Sequence, residues 1–326
     1  MTLSISGVGY AGAGAYFDLL CEFNGVEHTP NLFELGILYE PDGVIDLVNK
    51  LKYNNSKITS YVPVRRFLNV SKFYTDFSWY KPFTGSFLYK YAEAFVGNLN
   101  PIHTSGYQYY ELANSTKIER AKAFINNSLL SKFNCLLKTK WQFSLEREMP
   151  ICMDIENIDI YAKEFMCSIL NEFRTTKNPH LLIKHICPPD MPEICLPYLP
   201  DDFRHISVNR DPRDLFILGR LNNTNDFPCR TVQEFVKYYK AIRDRQQPNP
   251  QVMFANFEDL CYRYEETVSM VKQFIANKNG WNKGRYFDPS KSVNNTRLVE
   301  KYPQYQSDVY YIEKSIPQYL YNYNNK

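Results

Sequence analysis

The sequence predicts an α/β fold with a mainly parallel sheet, and three observations carry that prediction. Short runs of apolar and β-branched residues, the right length for buried strands, recur at 2–6, 180–186, 203–208 and 252–255. Segments of helical periodicity follow them at 15–23, 213–221, 231–245 and 265–275. A cluster of glycines stands where the first strand meets the first helix. Strands alternating with helices require crossover connections, and these pair strands in parallel.

Taken in order, 2–6 alternates apolar and hydroxyl side chains and breaks at Gly7, as a strand entering a turn does. Phe17, Leu19, Leu20 and Phe23 share one face of a helix over 15–23, closed by Asn24-Gly25. A second strand is expected at 32–39, then the turn Pro41-Asp42-Gly43 and a short helix at 44–51. The stretch 56–176 mixes helical periodicity, at 118–137 and 158–173, with aromatic connections at 73–91, and reads as a mainly helical insertion. The β/α order returns at 180–186, a strand stopped by Pro188-Pro189. A last helix is expected over 308–321, kinked by Pro317, and the polar tail 321–326 is expected to fray.

Composition narrows the function classes. The chain of 326 residues fits one large domain with an insertion. A net charge of +3 argues against a nucleic-acid coat or a polybasic membrane tether. With 44% hydrophobic and 16% aromatic residues, a large core is available and disorder is excluded for most of the chain. The start of the chain has no basic residues before its apolar stretch, and glycines interrupt that stretch, so neither a signal peptide nor an integral membrane segment is expected. The 8 cysteines are scattered and form no C-x-x-C pair, which fits free buried thiols in a reducing cytoplasm better than zinc ligands or disulfides. Oligomeric state leaves no mark on the sequence.

The segment from Gly7 through Gly9, Tyr10, Ala11, Gly12, Ala13, Gly14 and Ala15 has the strand–turn–helix placement of a phosphate cradle. There, backbone N–H groups and a helix N-terminus face an anion. It lacks the Lys-Ser/Thr pair of nucleoside-triphosphate loops, which disfavours a kinase. It also lacks a well-placed acidic residue after a second strand, which a dinucleotide site needs, since Glu40 falls in a turn. Taken alone, such a loop is equally a tight turn with no ligand.

A second loop tips the balance. The strand 203–208 delivers Asn209-Arg210-Asp211-Pro212-Arg213-Asp214, placing Arg210 at the carboxyl end of the sheet, where open α/β sheets bind ligands. A guanidinium there can take a phosphate bidentately. The plainer alternative is a surface network among Arg210, Asp211, Arg213 and Asp214.

The glycine-rich loop paired with a distal Arg-Asp-Pro-Arg-Asp turn resembles the sulfotransferases that use 3'-phosphoadenosine 5'-phosphosulfate (PAPS). Phe254-Ala255-Asn256-Phe257-Glu258-Asp259-Leu260 is similar to that family's strand ending in Tyr-Glu-Asp-Leu. The loop from Phe287 to Thr296 and Pro41-Asp42-Gly43 resemble a bacterial branch associated with surface polysaccharide. The resemblance implies a P-loop-like three-layer fold, PAPS as cofactor and a carbohydrate or other hydroxyl as acceptor, with 56–176 on the acceptor side. It puts the 5'-phosphosulfate on Gly9, Tyr10, Ala11, Gly12, Ala13, Gly14 and Ala15, and the 3'-phosphate on Arg210.

The chain also departs from the family. Where the family carries Lys or Arg and then Ser-Gly-Thr or Ser-Gly-Ser, this loop reads Tyr10-Ala11-Gly12-Ala13, without cation or hydroxyl. Ile217, Leu218 and Gly219 stand where the family has a serine after its 3'-phosphate arginine. Lys184 is the candidate replacement cation. Glu34 is the first candidate for the general base, and His185 the second. Against these roles, a strand-edge carboxylate and a structural histidine are the plainer explanations. A catalytically weakened member that binds nucleotide or glycan is the rival reading. His28, His103, His180 and His205 show no partner pattern; Arg65-Arg66 suits an exposed helix or loop face better than an anionic acceptor, and the aromatics of 73–91 suit a core better than a sugar groove.

Overall fold

Thr2, Ser4 and Ser6 alternate with Leu3 and Ile5, and this period of two makes the first strand, β1 (Thr2–Gly7). The computed structural model describes residues 1–323 apart from Tyr107 and Glu146. After β1 come α1 (Ala13–Cys21), β2 (Val26–His28), α2 (Val44–Tyr53), α3 (Lys57–Asp76), α4 (Lys81–Thr84) and α5 (Leu88–Asn98). Next are β3 (Ile102–Gly106), α6 (Lys117–Ile125), α7 (Ser131–Leu137), β4 (Arg147–Ile151) and α8 (Ile158–Glu172). The remainder runs β5 (His180–Lys184), β6 (Arg204–Asn209), α9 (Pro212–Leu221), α10 (Val232–Arg245), β7 (Val252–Asn256), α11 (Phe257–Tyr262), α12 (Tyr264–Phe274), α13 (Pro289–Ser292) and α14 (Gln306–Ser315).

The chain forms two compact units, one of Met1–Ile45 with the residues from Ala162 onward, the other Asp46–Tyr161. The first is the expected three-layer α/β fold, a five-stranded parallel sheet flanked by helices, in the order β2-β5-β1-β6-β7. Leu3 and Ile5 join Ile206, Val208 and Ala255 on one face, against Phe17 and Leu20 of α1, Leu260 of α11 and Val268 of α12. The opposite side chains are hydroxyls and a histidine, all buried: Ser4, Ser6, Ser207 and His205. They hydrogen-bond one another and nearby backbone. His205 Nε2 lies 2.9 Å from Ser6 Oγ, and Ser207 donates to the Pro189 carbonyl at 2.5 Å. Burial, then the neighbouring His185, pushes the His205 pKa down to about 3.

The Asp46–Tyr161 unit is mainly helical, with an antiparallel pair of β3 and β4. Two capping boxes start its helices, Ser56 with Thr59 and Thr116 with Glu119.

Three expectations are corrected. Residues 32–39 are not a strand: Val26–His28 pairs with β5, and Pro30, which has no N–H to offer a ladder, ends that pairing. A turn follows, and the chain meets β5 again at Lys184, through the Glu34–Lys184 bridge and the Asn31 carbonyl. The last helix stops at Ser315, and Pro317 begins a separate 3₁₀ turn instead of kinking a longer helix. The tail is anchored as far as Tyr323, because Tyr321 N–H donates to Asp211 at 3.0 Å and the Tyr323 hydroxyl to Asp214 at 3.1 Å. Residues 324–326 lie outside the described residues.

Candidate functional site

β1 sits between β5 and β6, with Gly7 in register with Val208. The chain leaves β1 toward one edge of the sheet and leaves β6 toward the other, so the loops after these strands part and leave a crevice. A cleft of about 850 Å³ opens there, lined by Gly7 to Ala15, Glu34, Lys184, His185 and Arg210. Every residue named in the sequence as a site candidate therefore faces one cavity.

The glycine loop is folded by its own backbone. Ala11 N–H donates to the Val8 carbonyl at 2.8 Å, and Tyr10 adopts a φ of 64°. Gly12, with a φ of 98°, is left-handed and caps α1 with no side-chain hydrogen bond. A Cβ at Gly12 would stand 2.5 Å from Phe257 Cδ2, so both conformation and contact demand glycine. The α1 N-terminus thus presents backbone N–H groups and its positive dipole end to the cleft.

Arg210 is only 5% exposed. Nη1 donates to the Tyr10 carbonyl at 2.7 Å, Nη2 donates to the Asn295 carbonyl, and Cζ lies 4.4 Å from the centre of the Phe257 ring. Nε is buried without a hydrogen-bond partner. Burial draws the Arg210 pKa down, opposed by the nearby Glu258 and Asp214. The anticipated Arg–Asp network exists but belongs to Arg213, which binds Asp211 and Glu313. Arg210 stands apart from it and faces the glycine loop.

Glu34, Lys184 and His185 form a cluster. Glu34 Oε1 is 3.6 Å from Lys184 Nζ and 3.5 Å from His185 Nε2, while Lys184 also donates to the Asn31 carbonyl at 3.1 Å. His185 takes a left-handed φ of 56°, which turns the chain at the end of β5. Burial pushes its pKa below the ordinary 6.5, with Glu34 opposing and Lys184 adding to the drop.

Sequence reasoning missed several residues of the cleft. Asp18 lines it from the exposed side of α1, its pKa raised by burial against the pull of Lys184. Asp226 comes from the connection after α9, and a Cβ at Gly9 would meet its carboxylate at 2.5 Å. Asp288, Lys291 and Asn295 line the cleft from the late loop. Only that last group carried a signal, through the family-like segment beginning at Phe287. The cleft therefore sets Asp18, Glu34, Asp226 and Asp288 against Lys184, Arg210 and Lys291.

No protein-family model matches the chain, and no curated protein matches it in sequence. Among the described residues, no helix is long and apolar enough to cross a membrane.

Proposed function

We propose that the cleft binds PAPS and that the protein transfers its sulfuryl group to a hydroxyl, with a carbohydrate as the acceptor class. One observation carries the reading: a glycine-rich loop at a helix N-terminus, a buried arginine on the next loop and a carboxylate–lysine–histidine cluster all line one cavity. Two features support this reading: Arg210 has a buried Nε without a hydrogen-bond partner, and a Cβ built at Gly14 meets open space. The amides of Gly9 to Ala15 would hold the 5'-phosphosulfate and Arg210 the 3'-phosphate. When bound, PAPS supplies an activated sulfuryl group and a phosphate leaving group.

The chain's own residues supply the rest. Glu34 takes the proton of the acceptor hydroxyl, whose oxygen becomes bonded to sulfur as the sulfur–phosphate oxygen bond breaks. Lys184, beside Glu34, stands in for the cation missing from the loop and stabilises charge on the transferred group. His185, neutral at pH 7 because burial lowers its pKa, is the alternative proton acceptor. A cytoplasmic location goes with this reading, since the cysteines are free thiols: Cys152, Cys187, Cys195 and Cys229 are buried, while Cys135 is exposed.

A second reading, binding without turnover, is favoured by the loop sequence Tyr10-Ala11-Gly12-Ala13, which offers the transferred group neither a cation nor a hydroxyl. Calorimetric titration with 3',5'-adenosine bisphosphate, with AMP as control, followed by a sulfuryl-transfer assay over a panel of saccharides, separates the two. Binding that needs the 3'-phosphate, with transfer, supports the enzyme. The same binding without transfer supports the second reading, and no binding by the folded protein overturns both.

A further inference from the structure

The Asp46–Tyr161 unit holds a cleft of its own, of about 390 Å³, walled by α3, α5 and the β3–β4 pair. Helical spacing places Arg65 and Asn69 together on α3, and Tyr89, Glu93 and Gly97 together on α5. From the hairpin come His103 and Glu148, which sit diagonally across the pair with Nδ1 and Oε1 2.9 Å apart.

Three features point to a ligand. A Cβ built on Gly97, an exposed residue in the last turn of α5, meets nothing within 4 Å, so the cleft is open at that point. Arg65 donates through Nη2 to Glu111 at 2.9 Å, and its Nη1 is buried with no partner. Finally, an aromatic ring stands beside hydrogen-bonding groups: Tyr89 bonds to Glu93, and Asn69 and Glu148 line the same cleft.

We infer that this cleft binds a sugar ring that carries no acidic group. A tyrosine ring suits the apolar face of a pyranose, and carboxylates and an amide suit its hydroxyl or amino hydrogens. The charges of Arg65 and Arg147 are balanced by Glu111 and Glu119, so Glu93 and Glu148 leave the cleft electronegative. An acidic sugar is repelled there. The inference concerns a different cavity from the PAPS cleft and stands whether or not sulfuryl transfer occurs.

Gly97→Leu in the full-length protein fills the open space directly. Saturation-transfer NMR and calorimetry with glucosamine, galactose, glucuronate and spermidine provide the readout, with thermal unfolding run alongside. The expected result is binding of glucosamine or galactose, at least about tenfold weaker binding of glucuronate and spermidine, and loss of sugar binding in Gly97→Leu at an undiminished melting temperature. Should Gly97→Leu fail to fold, Asn69→Ala, at an exposed position, must weaken sugar binding by about threefold or more. Absence of sugar binding, equal binding of glucuronate or spermidine, or sugar binding unchanged in the folded variants overturns the inference.

Discussion

The Arg210 guanidinium and the Tyr10 carbonyl are joined by a 2.7 Å hydrogen bond between residues 200 positions apart. The second basic loop thereby holds the glycine-rich loop in shape, with Tyr10 in its left-handed conformation. Phe257 completes the arrangement by lying under the guanidinium and against Gly12. Arg210 is both a candidate ligand and the clasp of the candidate cradle.

Arg210→Lys tests the clasp. Lysine keeps the charge but has no planar fork, so it cannot serve the Tyr10 and Asn295 carbonyls together. Urea unfolding should show a loss of roughly 1–3 kcal/mol. Affinity for 3',5'-adenosine bisphosphate should fall by about tenfold or more, with AMP affinity changed far less.

Glu258 gives a pH signature. It is fully buried, one oxygen accepting the Asp211 N–H at 2.9 Å, and burial pushes its pKa from 4.5 up to about 8. Below the unfolded value both states hold the proton and the fold keeps its full stability. Between the two values the unfolded chain ionises while the fold does not, so stability falls as pH rises, and the loss is complete above about pH 8. The slope of unfolding free energy from this group should approach about −1.4 kcal/mol per pH unit. Glu258→Gln should remove it when urea melts at about pH 5 and about pH 8 are compared.

Asp226→Asn removes a carboxylate that stands beside Gly9. Because Asp226 is exposed, water screens it and the gain is modest. Calorimetry should show roughly threefold to tenfold tighter binding of 3',5'-adenosine bisphosphate, with the difference shrinking as salt is raised.

Glu34→Gln separates proton transfer from binding. The amide keeps the shape but cannot take a proton, so turnover should fall by about 10²–10⁴-fold while nucleotide affinity stays within about twofold. His185→Gln should leave most of the turnover if Glu34 is the base. The opposite ranking in steady-state kinetics would exchange the roles.

The sheet and most helices were legible because their signals are local and periodic, as in the alternation of 2–6 and the apolar face of α1. The strand expected at 32–39 failed because apolar content there serves the core, with Phe33, Leu35, Ile37 and Leu38 fully buried in irregular backbone. Glu34 meets Lys184 and His185 although its expected strand does not form, because the chain bridges back to the end of β5 at that point. Asp18 and Asp226 could not be foreseen, since a lone carboxylate on a helix or loop has no pattern until the fold brings it to the cleft. Arg65 likewise reads as part of an exposed helix or loop face, yet Glu111 and the ring of Tyr61 hold it half-buried. His103 had no sequence partner because Glu148 reaches it only through the antiparallel pairing.

The central position of β1 has a bearing on how the protein is made. Its neighbours β5 and β6 begin at His180 and Arg204, so a ribosome delivers β1 long before either strand that pairs with it. The whole Asp46–Tyr161 segment emerges in between. Until residue 180 is available, Leu3 and Ile5 have no strand to pair with, and the exposed apolar segment is a natural client for a chaperone.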